Sequence, residues 1–230
     1  MNASETDASS SAQAFYGYWA DVYDVIARHT PGVSTLRQQA VDACRLDTGD
    51  TVVEVGCGTG ANLPYLREAV GPSGTVVGLD FTGPVLDRAR AHTAAYENVH
   101  LVRADATCLP ITSELSPDAL LATFVVGMLT DPEAVVNDWC DLVGPDGHVV
   151  LANASRSDGP LSPVVNAAFR TVVVCSTPPT LKLRYDEDLT AMLDRKIDAA
   201  HGRLRERSGA VAEDRHHFGL VRVTGGRIAR

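Results

Sequence analysis

A run of glycines behind a buried acid gives the first half of the chain the residue types of a nucleotide-binding site. In the segment TVVEVGCGTGANL, residues 51–63, Glu54 stands inside an apolar run, and Gly56, Gly58 and Gly60 follow it. Glycines let the backbone turn tightly and leave no Cβ in the path of a ligand. A carboxylate two residues before the first glycine is useful to a cationic ligand. The segment therefore predicts a nucleotide-binding loop, and the glycines alone do not settle which nucleotide it binds.

Two aspartates follow at the ends of the next apolar runs. Asp80 closes TVVGLD, twenty residues after Gly60, and Asp105 lies in VRADA. A carboxylate at the position of Asp80 can accept hydrogen bonds from both ribose hydroxyls of an adenosine. Asp105, or the backbone of Ala106, can meet the adenine edge. Either aspartate could instead cap a following helix, so both interpretations stay open.

The same loop also fits a different nucleotide. Gly56, Gly58 and Ala61 satisfy G-x-G-x-x-A, the dinucleotide fingerprint, which keeps a nicotinamide-dependent reductase as an alternative. Three observations favour the charged adenosine. A dinucleotide site has no particular use for Glu54, and Asp105 ends the third strand where it can meet the adenine edge. The Tyr-x-x-x-Lys arrangement of many reductases fails because Tyr185 is followed four places on by Leu189.

Alternating strands and helices must position these residues. Each predicted strand is nearly continuous in apolar residues, and amphipathic helices lie between most of them, which is typical of a parallel sheet covered on both faces. We therefore predict an α/β fold with a doubly wound, mostly parallel sheet, and ligands bind beyond the carboxyl ends of its central strands. The predicted strands are 51–55, 75–80, 99–104, 118–124 and 148–154.

The flanking segments complete one predicted domain, residues 12–230, behind a small and polar tail that we expect to be disordered. Asp131 and Pro132 form an N-cap and N1 pair that opens a helix. A final run, 216–226, is predicted as an edge strand. The predicted parts are the tail 1–11, an N-terminal helical cap 12–48, a cofactor-binding core 50–155, and C-terminal helices with the edge strand 156–230.

Composition excludes several classes of protein. A net charge of -9 disfavours a broad nucleic-acid surface. Five cysteines without C-x-x-C spacing argue against a disulfide framework and against a metal site. The N-terminus lacks the features of a signal peptide, and the longest apolar run has roughly half the length that crosses a bilayer. We therefore expect a cytoplasmic protein without a transmembrane segment, and the sequence is compatible with a homodimer.

Four segments resemble, in order and spacing, the class I S-adenosylmethionine-dependent methyltransferases: VVEVGCGTG, VVGLD, VRADA and DALLATFVVGMLTDPEAVVNDWCDLVGPDGHVVLANA. The resemblance covers about residues 50–155. The aromatic segment YWADVYD is similar to the opening of the branch that contains the ubiquinone, menaquinone and many small-molecule methyltransferases. The resemblance implies a Rossmann-like, seven-stranded-type sheet with N-terminal helices and a C-terminal antiparallel edge strand, and S-adenosyl-L-methionine as the cofactor.

By position, the resemblance also implies roles for individual residues. The methionine end of the cofactor is assigned to Glu54 and the glycine loop, and the ribose to Asp80. The adenine is assigned to Phe81, Asp105 and Ala106, and the methyl-bearing face to Thr123 and Phe124, while Tyr18 or Tyr23 closes over the cofactor. The full predicted cofactor set is Tyr18, Tyr23, Glu54, Gly56, Cys57, Gly58, Gly60, Asp80, Phe81, Asp105, Ala106 and Thr123.

The acceptor side is where the chain departs from these relatives. Gly127, Met128 and Leu129 stand where many of them have a histidine-rich sequence, and no residue presents itself as a general base. We therefore predict methyl transfer chiefly by proximity, which contributes about 7–11 kcal/mol in favourable cases. The predicted acceptor is a small apolar or amphipathic, lipid-like molecule bound by the N-terminal helices, residues 124–130 and the segment after 155. A non-catalytic S-adenosylmethionine-binding protein remains a third hypothesis.

Overall fold

A computed structural model describes residues 33–111, 115–157, 162–176, 189–217 and 219–230. The predictions for the N-terminal tail, the aromatic segment and most of the N-terminal cap lie outside these ranges. The helices are α1 (Val33–Ala43), α2 (Leu63–Val70), α3 (Gly83–Thr93), α4 (Pro132–Val143), α5 (Ser162–Ser176) and α6 (Leu189–Arg207), with a 3-10 helix at Val126–Met128. The strands are β1 (Thr51–Val55), β2 (Thr75–Asp80), β3 (Val99–Arg103), β4 (Ala119–Thr123), β5 (His148–Ala154), β6 (Ser208–His216) and β7 (Val221–Ile228).

One seven-stranded sheet organises the described residues, with the order β3-β2-β1-β4-β5-β7-β6. The first five strands are parallel to one another, and β7 runs antiparallel to both β5 and β6. The first strand, β1, lies in the middle of the sheet. The next two strands, β2 and β3, lie on one side of it, and β4 to β7 lie on the other side. The prediction of a doubly wound, mostly parallel sheet with an antiparallel C-terminal end is confirmed.

The position of the last strand corrects one prediction. The run 216–226 was predicted to form the edge, but β7 lies inside the sheet between β5 and β6, and most of its residues are buried. The edge strand is β6, which the sequence did not reveal because its residues SGAVAEDRH show no apolar alternation. Its side chains are exposed along nearly the whole strand, so pairing with β7 rather than burial defines it.

Two apolar layers cover the sheet, one on each face. Helices α1, α2 and α3 contribute buried residues to the layer that contains Val52 of β1, whereas α4 and α6 pack on the layer that contains Val53 and Val55. This alternation follows from the period of two along a strand. Glu54 therefore projects toward the side of the sheet on which α1 and α2 lie.

The carboxyl ends of the parallel strands meet at one edge of the sheet, where a cluster of loops is formed. The turn after β1 leads into α2, the turn after β2 into α3, and the turn after β4 into the 3-10 helix. The described residues between β3 and β4, 104–111 and 115–118, contain no helix, so that crossover differs from the other connections. Within the described ranges, no helix is both long and apolar enough to cross a membrane.

Candidate functional site

The glycine loop after β1 combines a packed side with an open side. A Cβ added to Gly56, whose φ is +69°, would lie 2.3 Å from Cγ2 of Val125, so the neighbouring loop packs directly on this backbone. Gly58 also has a positive φ, +55°, but an added Cβ would meet nothing within 4 Å. The backbone at Gly58 is therefore accessible to a ligand, whereas Gly56 is required by the packing of the protein itself.

Glu54 is a buried carboxyl with one oxygen unpaired. Its side chain is 1% exposed, and Oε1 accepts a hydrogen bond of 2.6 Å from Nδ2 of Asn62. Oε2 is buried and has no hydrogen-bond partner among the described residues. Burial raises the pKa of this carboxyl to about 8, although the Asn62 hydrogen bond and the Arg37 charge act in the opposite direction. A ligand cation would supply the missing partner and favour the ionised form.

Asn62 connects Glu54 to two other elements. Its Nδ2 also donates to Oγ1 of Thr123 at the end of β4, with a distance of 3.1 Å. Its Oδ1 accepts a hydrogen bond from Nη1 of Arg37 on α1. Neither Asn62 nor Arg37 was predicted to belong to the site. Asn62 lies only two residues beyond the glycines, but Arg37 is 25 positions away from it, and no local pattern indicates their contact.

Asp80 ties the tip of β2 to the glycine loop. Its Oδ2 accepts a hydrogen bond of 2.9 Å from the backbone N–H of Gly58, and its Oδ1 accepts one of 2.8 Å from the backbone N–H of Thr82. Burial raises the pKa of the carboxyl, and these two hydrogen bonds partly counteract the shift. Because an ionised carboxylate offers about four acceptor positions, Asp80 retains the capacity to bind hydroxyl groups of a sugar. Its role toward a ribose stays a prediction.

The residues predicted near an adenine fall into two groups. Phe81 follows Asp80 directly, and its side chain is 43% exposed, as a ring that receives a planar ligand would be. Asp105 instead accepts hydrogen bonds of 2.8 Å from the backbone N–H and the hydroxyl of Thr107. The backbone carbonyl of Ala106 accepts a hydrogen bond of 3.0 Å from Nε1 of Trp139. Asp105 therefore stabilises a local turn, and its contact with a ligand stays a prediction.

Exposed apolar side chains follow β4 at the same edge. Phe124 has a φ of +61° and is 47% exposed. Its backbone N–H donates a hydrogen bond of 2.8 Å to the carbonyl of Ala152. Met128 is 60% exposed, which excludes a role as a core residue. Gly127 packs against Leu193 of α6, because an added Cβ would lie 2.2 Å from its Cδ1. Helix α6 therefore stands beside this apolar patch.

Two predicted site residues, Tyr18 and Tyr23, lie outside the described residues. Among those that are described, no group of three or more His, Cys, Asp or Glu could hold a metal ion. The fully buried His201 bonds through Nδ1 to Oγ1 of Thr224 (2.7 Å) and through Nε2 to Oδ1 of Asn153 (3.2 Å). Burial lowers its pKa to about 2. This histidine is therefore neutral and joins α6 to β5 and β7.

Comparison with known proteins relates the part of the chain that holds Glu54, Asp80 and Thr123 to methyltransferases. Residues 52–147 match the family model described as a methyltransferase domain. The chain is 28% identical over 156 residues to a demethylmenaquinone methyltransferase of Lactobacillus johnsonii, covering 61% of this chain and 64% of that protein. It is 31% identical over 125 residues to the demethylmenaquinone methyltransferase of Staphylococcus epidermidis, covering 54% and 52%. The chain thus spans less than two thirds of the length of these relatives.

A solved structure has the same fold over most of the chain. The N-methyltransferase NodS from Bradyrhizobium japonicum, in complex with S-adenosyl-L-homocysteine, superposes with a TM-score of 0.63 at 12% identity. The superposition covers 89% of this chain and 91% of that protein. The Rossmann-like, seven-stranded fold predicted from the sequence is confirmed.

Proposed function

We propose that this chain transfers a methyl group from S-adenosylmethionine to a small acceptor, because residues 52–147 match a family model described as a methyltransferase domain. The observation that carries the proposal is the unpaired oxygen of Glu54 behind a glycine loop whose backbone is open at Gly58. A buried carboxyl oxygen without a hydrogen-bond partner raises the free energy of the empty site. The ammonium group of the cofactor would remove that cost by pairing with the acid.

The remaining residues of the edge fit the rest of the same ligand. Asp80 would accept hydrogen bonds from the ribose, and the exposed ring of Phe81 would lie against the adenine. Thr123, held by Asn62, and Phe124 would lie beside the reactive end. This assignment uses the strand ends that the doubly wound topology brings together.

For methyl transfer the protein mainly has to align the acceptor with the methyl group and exclude water. S-adenosylmethionine supplies a methyl group on a positively charged sulfur, which is already electrophilic. Holding an acceptor in line with such a group lowers the barrier by about 7–11 kcal/mol in favourable cases. At the described carboxyl ends of β4 and β5, residues 123–128 and 154–157, there is no histidine, aspartate or glutamate to serve as a general base. The proposed mechanism is therefore proximity and orientation.

For the acceptor we propose an apolar, quinone-like molecule. Phe124 and Met128 present exposed apolar surface directly after β4, where the substrate would have to lie. The two curated relatives are demethylmenaquinone methyltransferases by name. An aromatic acceptor of this class would pack its ring on the same apolar side chains.

Calorimetric titration with S-adenosylhomocysteine and with NADH tests the proposal. We expect S-adenosylhomocysteine to bind and NADH not to bind; the reverse result would support the reductase alternative and overturn the proposal. Asp80→Ala should lower the affinity for S-adenosylhomocysteine by at least tens-fold, since hydrogen bonds to a charged group contribute about 2 kcal/mol. Asp87→Ala, on the exposed side of α3, is the matched control and should bind as the wild type does.

A labelled transfer assay separates an enzyme from a binding protein. The protein is incubated with methyl-labelled S-adenosylmethionine and a short-chain demethylated naphthoquinol, and the organic extract is counted. Label in the quinol fraction supports the proposed acceptor. In a parallel incubation a cell extract replaces the quinol. Label that appears only with the cell extract supports the reaction but refutes the quinone-like acceptor, and no labelled product in either incubation supports a binding protein.

A further inference from the structure

Two buried polar atoms lack a partner where β5 and β7 meet at the carboxyl edge of the parallel strands. Oγ of Ser155, directly after β5, and Nε of Arg222, near the start of β7, have no hydrogen-bond partner among the described residues. The two residues are 6% and 4% exposed. A buried polar group without a partner costs free energy, so a ligand atom that pairs with both groups would be stabilised there.

The strand register places Ser155 and Arg222 on one face of the sheet. Arg222 lies opposite Asn153, and the backbone N–H of Ser155 extends the antiparallel pairing with a hydrogen bond of 2.8 Å to the carbonyl of Leu220. Because side chains alternate along a strand, Ser155 and Arg222 share the side on which Asn153 bonds His201 of α6. Diagonal neighbours of this kind are about 7–8 Å apart, so one oxygen atom between their side chains can contact both.

This place adjoins the apolar patch that we assign to the acceptor. The backbone N–H of Phe124 bonds a carbonyl of β5, so the loops after β4 and β5 leave the sheet side by side. Helix α6 lies over both loops, because Leu193 packs against Gly127 and Asp194 accepts a hydrogen bond of 3.1 Å from the backbone N–H that follows Ser155. An acceptor ring on Phe124 would therefore direct a substituent toward the end of β5.

The arginines around this place favour an anion. The guanidinium of Arg222 is buried, whereas the carboxylate of Asp198, which it contacts at 2.9 Å, belongs to a side chain that is 68% exposed. Burial is the main cause of the low pKa of His201, and the charges of Arg222, Arg205 and Arg215 lower it further. The carboxylates on the neighbouring elements are each paired with an arginine: Asp194, Asp198 and Glu213. The local charge therefore complements a compact oxyanion.

We propose that Arg222 and Ser155 bind the ionised hydroxyl of the methyl acceptor, with the guanidinium stabilising the oxyanion and the serine donating a hydrogen bond to it. This rests on the proposed methyl transfer to a quinone-like acceptor and names substrate-binding residues for that site. A positive charge beside the hydroxyl favours the loss of its proton to water before the transfer. Transfer then needs no general base at the described ends of β4 and β5.

The electrons of the step balance without a further reactant. The ionised acceptor supplies the electron pair for the new bond to the methyl carbon, and the pair of the broken C–S bond stays on sulfur, which becomes neutral. Where a ring carbon is methylated, the proton of that carbon leaves to water as the ring regains its aromatic form.

Calorimetry with two matched probe molecules tests this subsite. The probes are 2-hydroxy-1,4-naphthoquinone, an anion at neutral pH, and 2-methoxy-1,4-naphthoquinone, which has the same ring and no charge. Each is titrated into the protein in the presence of saturating S-adenosylhomocysteine. We expect the wild type to bind the anion at least about tenfold more tightly, as hydrogen bonds to a charged group allow. Equal binding of the two probes, or binding of neither, would overturn the proposal, and this comparison needs no variant.

Substitutions then identify the groups that bind the anion. Arg222→Gln should lose the preference by weakening the anion alone, whereas Arg222→Lys, which keeps the charge, and Ser155→Ala should each keep part of it. Arg215→Gln is the matched control, because Arg215 is the register partner of Arg222 on β6 but is exposed. It should behave as the wild type does. A full preference in Arg222→Gln would show that the guanidinium does not bind the oxyanion.

Binding of S-adenosylhomocysteine alone keeps the two proposals distinct. Every variant should bind it as the wild type does, because neither Arg222 nor Ser155 belongs to the residues assigned to the cofactor. A wild type that does not bind S-adenosylhomocysteine would overturn the proposed function, whereas a missing probe preference with intact cofactor binding overturns only the oxyanion subsite. If Arg222→Gln loses cofactor binding through a disturbed fold, the wild type and Ser155→Ala decide.

Discussion

Replacing Glu54 by glutamine should stabilise the empty protein increasingly as the pH rises. The pKa of this buried carboxyl is raised from 4.5 to about 8, mainly by desolvation. Between those two values the folded protein keeps a proton that the unfolded chain releases, so the wild type loses stability as the pH increases through this window. Glutamine has nearly the same shape and no charge, so the variant lacks this contribution.

The expected size follows from the two pKa values. From pH 5.5 to 8.5, the free energy of unfolding of Glu54→Gln should rise relative to the wild type by about 3 kcal/mol. Urea denaturation of both proteins at several pH values measures the difference between their free energies of unfolding. Contributions from titratable groups that the substitution does not affect cancel in this difference. The glutamine amide can leave a donor unpaired, which shifts the whole curve by about 1–3 kcal/mol but leaves its slope unchanged.

Asp87→Asn, an exposed carboxylate-to-amide change on α3, is the control for this experiment. Its stability relative to the wild type should be almost independent of pH over the same range. A flat difference for Glu54→Gln would show that Glu54 ionises normally in the folded protein. The buried, unpaired acid would then no longer support a cation site.

Other perturbations of the loop give further expected outcomes. Gly56→Ala should destabilise the protein by about 2–4 kcal/mol in thermal or urea unfolding, because its Cβ would lie 2.3 Å from Val125 and its φ is +69°. The Cβ added by Gly58→Ala would meet no neighbour, so this substitution should lower the free energy of unfolding by only about 1 kcal/mol. It should nevertheless lower the affinity for S-adenosylhomocysteine at least tenfold, as measured by calorimetry. Equal effects of the two substitutions on stability would contradict the open side of the loop. The affinity of the wild type for S-adenosylhomocysteine should fall up to tenfold per pH unit below about pH 8, since Glu54 must ionise to pair with the ammonium; a constant affinity from pH 6 to 8 would contradict this.

The parallel half of the fold was predictable because each of its elements has a local signal. The strands from β1 to β5 are short apolar runs bounded by turn residues, and the structure confirms them within one or two positions. Asp131 before Pro132 predicted the start of α4, and its side chain accepts 3.1 Å from the N–H of Ala134. These features depend on neighbours in sequence, which a single chain reveals.

The parts that were missed depend on contacts between distant residues. Strand β6 has no apolar alternation, and its partner β7 defines it. Within the site, the acid and the glycines were predicted, but the Arg37–Asn62 contact joins positions 25 residues apart. A polar contact of this kind is decided by the packing of helices, which no motif in the sequence records.

A crystal structure of the protein with S-adenosylhomocysteine tests the central claim most directly. The account predicts the ammonium within hydrogen-bonding distance of Oε2 of Glu54 and the ribose hydroxyls on the carboxylate of Asp80. A ligand whose ribose lies away from the end of β2, or one that leaves Oε2 of Glu54 unpaired, would contradict it.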